Sequence, residues 1–244
     1  MKIIALSDSH NKHNKFPTLP ECDILIHAGD WSGMGRESET RNFAKWLNKQ
    51  EAGYIVVVPG NHEVEFEKGL PDSKKWILEE CPSAHILIDE TIEIEGVKIH
   101  GSPVTPWFYD WAWNRSITND DLVMHPRTGK VSSIQHIKPH WDKIPEGTNI
   151  LITHGPPYKI LDELVYVDGT PKGQFVGCPY LMDRILEIKP DIHIFGHIHC
   201  GHGQKHFNGT SFFNVALCDE MYMPTNGYTE IEYEKEKTNK KEEN

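Results

Sequence analysis

Aspartate and histidine stand two residues apart in Asp8-Ser9-His10, and two histidines share that spacing in His197-Ile198-His199. On an extended chain, side chains two apart point the same way, so each pair can present its donors to one cation. Gly29-Asp30, Gly60-Asn61-His62-Glu63 and Thr153-His154-Gly155 add further oxygen and imidazole donors. Such a set without thiolate suits Mn, Fe or Zn rather than Ca, Mg or Cu(I). Ions of that kind polarise a carbonyl or phosphoryl group and acidify bound water, so the expected chemistry is metal-assisted hydrolysis. A single Asp-x-His is more often an ordinary loop; here the weight comes from five clusters together.

The elements that must position them are short β-rich runs at 2–6, 23–28, 54–58, 97–100, 149–153, 191–195, 211–217 and 228–233. Most of these runs read as buried on both faces. Helical patterns lie between them, at 37–50 with Phe43 and Leu47 one turn apart, and at 180–189 with Leu181, Ile185 and Ile188 on one face. Pro190 ends the second helix. Strand and helix alternate with Gly- and Pro-rich joints, which predicts a layered α/β fold with antiparallel pairing near 92–101 and after 211. Each polar cluster closes a predicted strand, and the carboxyl edge of an open α/β sheet is where ligands bind. One domain over residues 1–233 is expected, followed by a charged, disordered tail at 234–244. The polar segment 116–147 is read as loops with a short helix at 134–141.

In that order, Asp-x-His, Gly-Asp, Gly-Asn-His-Glu, Thr-His-Gly and Gly-His-x-His resemble the calcineurin-like metallophosphoesterases, over residues 1 to about 217. The resemblance implies a four-layer α/β/β/α sandwich with two divalent metal ions. It places Asp8, His10, Asp30 and His199 on one ion and Asp30, Asn61, His154 and His197 on the other. Asp30 is then the bridge, and His62 an unligated catalytic histidine. A finer likeness, carried by Thr105-Pro106-Trp107-Phe108 with Trp111 and Asn114, by His154-Gly155-Pro156-Pro157 and by Gly177-Cys178, is to the small metallophosphoesterase-domain-containing branch. That branch is similar to class III cyclic-nucleotide phosphodiesterases. It implies attack by a metal-bridging hydroxide on a small phosphodiester such as a cyclic nucleotide. A phosphomonoesterase, a nucleotide pyrophosphohydrolase and a non-catalytic metal-binding scaffold are the competing readings.

The formal charge of -11, from 25 Lys plus Arg against 36 Asp plus Glu, disfavours long nucleic acid as a partner. A small phosphate ester drawn to local metal charge is compatible with it. Five scattered cysteines without a C-x-x-C pair indicate neither a disulfide framework nor a thiolate zinc site. With no signal-like or membrane-spanning run, a cytoplasmic protein is expected. Trp107, Phe108, Tyr109, Trp111 and Trp113 crowd one loop, where they can stack a nucleobase or fill core. His202 can touch a substrate phosphate or simply sit on a surface loop. Cys200 and nine further histidines, among them His27, His140 and His193, are assigned structural roles.

Overall fold

The computed structural model describes residues 1–16, 18–118, 122–124, 131–165 and 170–234. In chain order its two main sheets use β1 (Lys2–Leu6), β2 (Cys22–His27), β3 (Ala52–Val57), β4 (Ala84–Ile86), β5 (Glu90–Ile94) and β6 (Val97–Ser102), and then β7 (Ile150–Thr153), β8 (Ile192–Phe195), β9 (Gly203–Phe207), β10 (Thr210–Asn214) and β11 (Thr229–Glu232). One sheet runs β11-β1-β2-β3-β4 and the other β9-β10-β8-β7-β6-β5. β1 to β4 are parallel, as are β6, β7, β8 and β10, while β5, β9 and β11 add antiparallel edges.

Period-two alternation in the parallel strands creates the layers. Ile3, Ala5, Ile24, Ile26, Val56 and Val58 of the first sheet face Ile99, Ile150, Ile152, Ile192 and Ile194 of the second. The opposite face of the first sheet, with Ile4, Leu6, Leu25, Ile55 and Val57, packs on Phe43, Ala44 and Leu47 of α1 (Glu37–Leu47). α2 (Val64–Lys68) and α3 (Lys74–Leu78) add Phe66 and Ile77 there. Leu151, Phe195 and Phe212 on the outer face of the second sheet meet Trp141 of α4 (Lys138–Trp141) and Leu181 and Ile185 of α5 (Pro179–Ile188). Three apolar clusters between four layers make the expected α/β/β/α sandwich.

The sheets are also stitched together at one point. Ser7, just past β1, pairs in parallel with Ala216, through Ser7 N donating to Val215 O at 3.0 Å and Leu217 N to Ser7 O at 2.9 Å. The carboxyl ends of both parallel sets therefore open toward one another.

The eight predicted strands all exist, with ends moved by at most three residues; the run at 211–217 stops at Asn214, where the chain leaves β10 to make the Ser7 bridge. Pairing after 211 is mixed, since β10 is parallel to β8 and antiparallel to β9. The helix expected at 134–141 is confined to Lys138–Trp141, with Pro139 in its first turn, where a missing N–H costs no hydrogen bond. The segment containing Gly173 is a hairpin strand, Pro171–Phe175, paired with Glu163–Val165. From 235 onward the expected tail lies outside the described residues, as do parts of 116–147.

Phe43 is fully buried, stacks on Trp31 at 5.1 Å, and joins α1 to the first sheet. Phe43→Ala is expected to cost about 3–5 kcal/mol, the range for emptying a buried aromatic site, read as a lower urea midpoint at unchanged m-value.

Candidate metal centre

Four of the seven expected ligands sit one to three residues past a strand, Asp8 after β1, Asp30 after β2, His154 after β7 and His197 after β8, and His10 sits four past β1. Asn61 and His199 lie slightly farther along the turns after β3 and β8. The turns are laced together, with Asp8 N donating to Gly29 O at 2.8 Å, His10 N to Asp30 O at 3.0 Å, and Gly196 N to His154 O at 2.9 Å. This tight reversal puts Asp8, His10, Asp30 and His197 in the left-handed region, with φ of 51°, 40°, 57° and 69°. Non-glycine residues held there cost about 1–3 kcal/mol each, a strain that folded proteins concentrate at functional sites. The packing leaves no room for a side chain at two neighbouring positions. A Cβ on Gly60 would collide with the Asp30 carboxylate, and one on Gly196 with Ser7 Oγ and the Asp8 carboxylate.

Four imidazoles share one arrangement. His10 Nδ1 lies 3.3 Å from Ser32 O, His62 Nδ1 2.9 Å from Gly33 O, His154 Nδ1 2.9 Å from Ala28 O, and His199 Nδ1 2.8 Å from Asp219 O. A carbonyl only accepts, so in each case Nδ1 donates and Nε2 is turned inward. What those nitrogens face is equally rich in lone pairs. His154 Nε2 is 2.8 Å from Asn61 Oδ1 and 3.3 Å from Asp30 Oδ2. His199 Nε2 is 3.3 Å from His10 Nε2 and 3.4 Å from Asp8 Oδ1. Asp30 Oδ2 also lies 4.0 Å from Nε2 of both His10 and His62. The donor atoms fall into three overlapping groups, Asp8 with His10 and His199, His10 with Asp30 and His62, and Asp30 with His154 and His197. Converging lone pairs repel unless a proton or a cation lies between them, so this donor set fits divalent ions.

Electrostatics agree with that arrangement. Burial alone would raise the Asp8 and Asp30 carboxyls; His199 beside Asp8, and His154 and His62 beside Asp30, instead hold both below the ordinary carboxylate range. Burial likewise opposes charge on His154 and His199, yet their carboxylate partners raise both to about 9. Burial pushes His10 and His197 down to about 4, so these two are neutral at pH 7 and free to donate a lone pair.

Around this floor lies a cavity of about 590 Å³, reaching Asp30, Asn61, His62, His197 and His199. Trp107, Phe108 and Trp111 line it, with Trp111 stacked on the His62 ring at 4.3 Å. The aromatic loop is divided between core and cavity. Trp113 is buried in the core beside Trp31 and Phe43, whereas Trp107 and Phe108 look into the cavity. Asn114 folds the loop by accepting from Phe108 N at 3.1 Å and donating to Tyr109 O at 2.7 Å. His202 is exposed, is the C-cap of the short helical turn His199–Gly201, and is not among the residues that line the cavity. Cys200 donates its thiol hydrogen to Glu163 O at 3.4 Å, and burial raises it to about 11, in keeping with a structural role. His140 likewise bridges Asp89 at 2.6 Å and Arg115 at 2.9 Å, away from the cavity.

Sequence reading gave no role to three residues that shape the site. Glu63 is fully buried, and its two oxygens accept from Asp30 N at 2.9 Å, Gly60 N at 2.7 Å, Ser32 N at 3.2 Å and Ser32 Oγ at 2.8 Å. Burial and the Asp30 charge push its carboxyl up, while these four donors favour the ionised form. Its signal was present as the last letter of Gly-Asn-His-Glu. Tyr222 packs edge-on against His10 at 4.7 Å and His199 at 5.4 Å, and Glu220 lines the same side of the cavity. No spacing rule marks either, since they follow β10, more than 20 residues beyond the last metal motif.

Glu63→Ala orphans buried donors that each cost about 1–3 kcal/mol when unpaired, so its stability is expected to fall by at least about 3 kcal/mol. The exposed neighbour Glu65, replaced by Ala, should change it by less than about 0.5 kcal/mol. Urea unfolding of both variants measures the difference.

Residues 1–201 match the family model described as calcineurin-like phosphoesterase. Human and mouse "Metallophosphoesterase domain-containing protein 1" are each 32% identical over 246 residues, covering 92% of this chain and 68% of theirs. Among solved structures, the phosphopantetheinyl hydrolase of Mycobacterium tuberculosis aligns with a TM-score of 0.58 over 94% of this chain and 95% of its own. At 16% identity that likeness speaks for the fold alone. Divalent metals are a property of the matched family, and the clustered donors are of the type it uses. No helix among the described residues is long and apolar enough to cross a membrane. The chain belongs to the calcineurin-like phosphoesterase family and is a hydrolase of phosphate esters.

Proposed function

We propose that this chain is a dinuclear metal-dependent phosphodiesterase acting on small esters such as cyclic nucleotides. The observation that carries this reading is the pair of donor groups meeting at Asp30, with inward-turned Nε2 atoms on either side and an aromatic cavity above. Asp8, His10, Asp30 and His199 would hold one ion, and Asp30, Asn61, His154 and His197 the other. Bound there, Mn, Fe or Zn would supply Lewis acidity and lower the pKa of water.

The chain's own residues do the rest. Carbonyl-anchored Nδ1 atoms keep the imidazoles from rotating, so the donor geometry is set before substrate arrives. Trp107, Phe108 and Trp111 give the ester group an apolar surface and exclude water from it. His62 is fixed by Gly33 O and by stacking on Trp111, with Nε2 turned toward Asp30. From there it can protonate the leaving oxygen. Turnover of bis-p-nitrophenyl phosphate, p-nitrophenyl phosphate and a panel of 2′,3′- and 3′,5′-cyclic nucleotides with Mn(II) tests the reading. Preference for the monoester would favour a phosphatase, and no turnover with any of them a non-catalytic scaffold.

His62→Ala is expected to cost about 10²–10⁴-fold in kcat/KM on a nucleotide ester, whose alkoxide needs a proton, and distinctly less on a nitrophenyl ester. Metal content should stay unchanged. Its loss would make His62 a ligand, a role that its grouping with His10 and Asp30 permits.

In protein stripped of metal, the raised values of His154 and His199 stabilise their protonated forms. That contribution is complete below about 6.5, the ordinary histidine value, and is lost as pH rises through about 9. Metal must displace these protons, so Mn(II) uptake at pH 7 should release protons and tighten with rising pH. Calorimetry in buffers of different ionisation enthalpy reads the release directly. Asp30→Ala should abolish binding of both ions by elemental analysis.

A further inference from the structure

Among the described residues lining the cavity there is no lysine or arginine, and the charged side chains besides its histidines are Asp30 and Glu220. Asp30 is committed to the donor cluster. Glu220 is not: its Oε1 accepts from Cys200 N at 2.9 Å, and the Cys200 thiol lies beside the same carboxylate. Cys200 directly follows His199, and Asp219, directly before Glu220, takes the His199 Nδ1 hydrogen at 2.8 Å. Asp219 Oδ1 also accepts from Met221 N and Met223 N, both at 2.9 Å, which closes the loop that carries Glu220 and Tyr222. The carboxylate is exposed, yet it is tied by Cys200 to the rim of the donor cluster. Lys159 Nζ lies over Tyr158 and Phe175, 5.4 and 5.9 Å from the ring centres, and is not among the residues that line the cavity.

A phosphodiester brings one negative charge to such a cavity, and a phosphomonoester or polyphosphate brings two or more. Ions at the floor can neutralise the phosphoryl oxygens. Any charge beyond them meets, among the described residues, apolar wall and the Glu220 carboxylate.

We propose that Glu220 is a charge filter, which lets singly charged diesters reach the floor and turns dianionic monoesters and polyphosphates away. The inference rests on the phosphodiesterase reading and deepens it. Glu220→Gln is the informative variant, because the amide oxygen can keep the Cys200 hydrogen bond while the charge is removed.

The test compares Mn(II)-loaded wild type, Glu220→Gln and Glu220→Lys on p-nitrophenyl phosphate and bis-p-nitrophenyl phosphate at about pH 8, above the second phosphate pKa of about 6. Monoester-to-diester ratios of kcat/KM should rise roughly three- to tenfold for Gln and further for Lys, and the gain should shrink with added salt, as expected for a partly exposed charge. Calorimetric binding of inorganic phosphate should tighten in the same order. Unchanged ratios together with unchanged phosphate affinity in both variants would overturn the filter. If wild type turned over neither ester, the phosphodiesterase reading would fail, and the phosphate titrations would still decide the role of Glu220.

Discussion

Lone pairs that point at one another have to be held in place, and the architecture around this site follows from that constraint. His10, His62, His154 and His199 each hand a ring hydrogen to a main-chain carbonyl and turn the other nitrogen toward Asp8, Asp30 or Asn61. In the absence of positive charge such a cluster is repulsive, so packing elsewhere has to impose it. The imposing groups are visible: left-handed backbone at Asp8, His10, Asp30 and His197, close backbone approaches at Gly60 and Gly196, and the buried Glu63 that gathers the turns after β2 and β3.

The two sheets supply the rigidity this requires. Apolar strands buried on both faces form the middle of a four-layer sandwich, and the Ser7–Ala216 bridge ties the sheets together next to Asp8. Parallel strands end together, so five turns from distant parts of the chain arrive at one edge. That edge carries the strain, and the three apolar clusters beneath offset it.

Above the donor cluster the surroundings change character. One side of the cavity is aromatic and nearly free of formal charge, while the loop after β10 brings Tyr222 against the imidazoles and a single carboxylate to the wall. On the proposed reading, phosphorus chemistry at the floor and selection of the ester group above it fall to different elements. Loops set the second, which is where relatives on one scaffold can diverge in substrate.

Much of this was legible in the residues alone. The strands of the two cores announce themselves by β-branched runs, and every expected ligand follows such a run, because a strand end is local and so is the polar motif that closes it. The layer order came from family likeness, and the three apolar clusters account for it physically. Which aromatic of the 107–113 loop fills core and which faces the cavity was not legible, since Trp113 and Trp107 differ only in the direction that a loop folded around Asn114 gives them. His202 looked like a site residue by proximity along the chain, yet it is the C-cap of the helical turn at His199–Gly201 and is not among the residues that line the cavity. Glu220 and Tyr222 were invisible for the converse reason: their neighbours at the site are up to about 210 residues distant in sequence, and only the pairing of β10 with β8 brings them there. Residue type and spacing determine what a segment can bind; the sheet register determines what it meets, because that register is chosen by burial summed over the whole core.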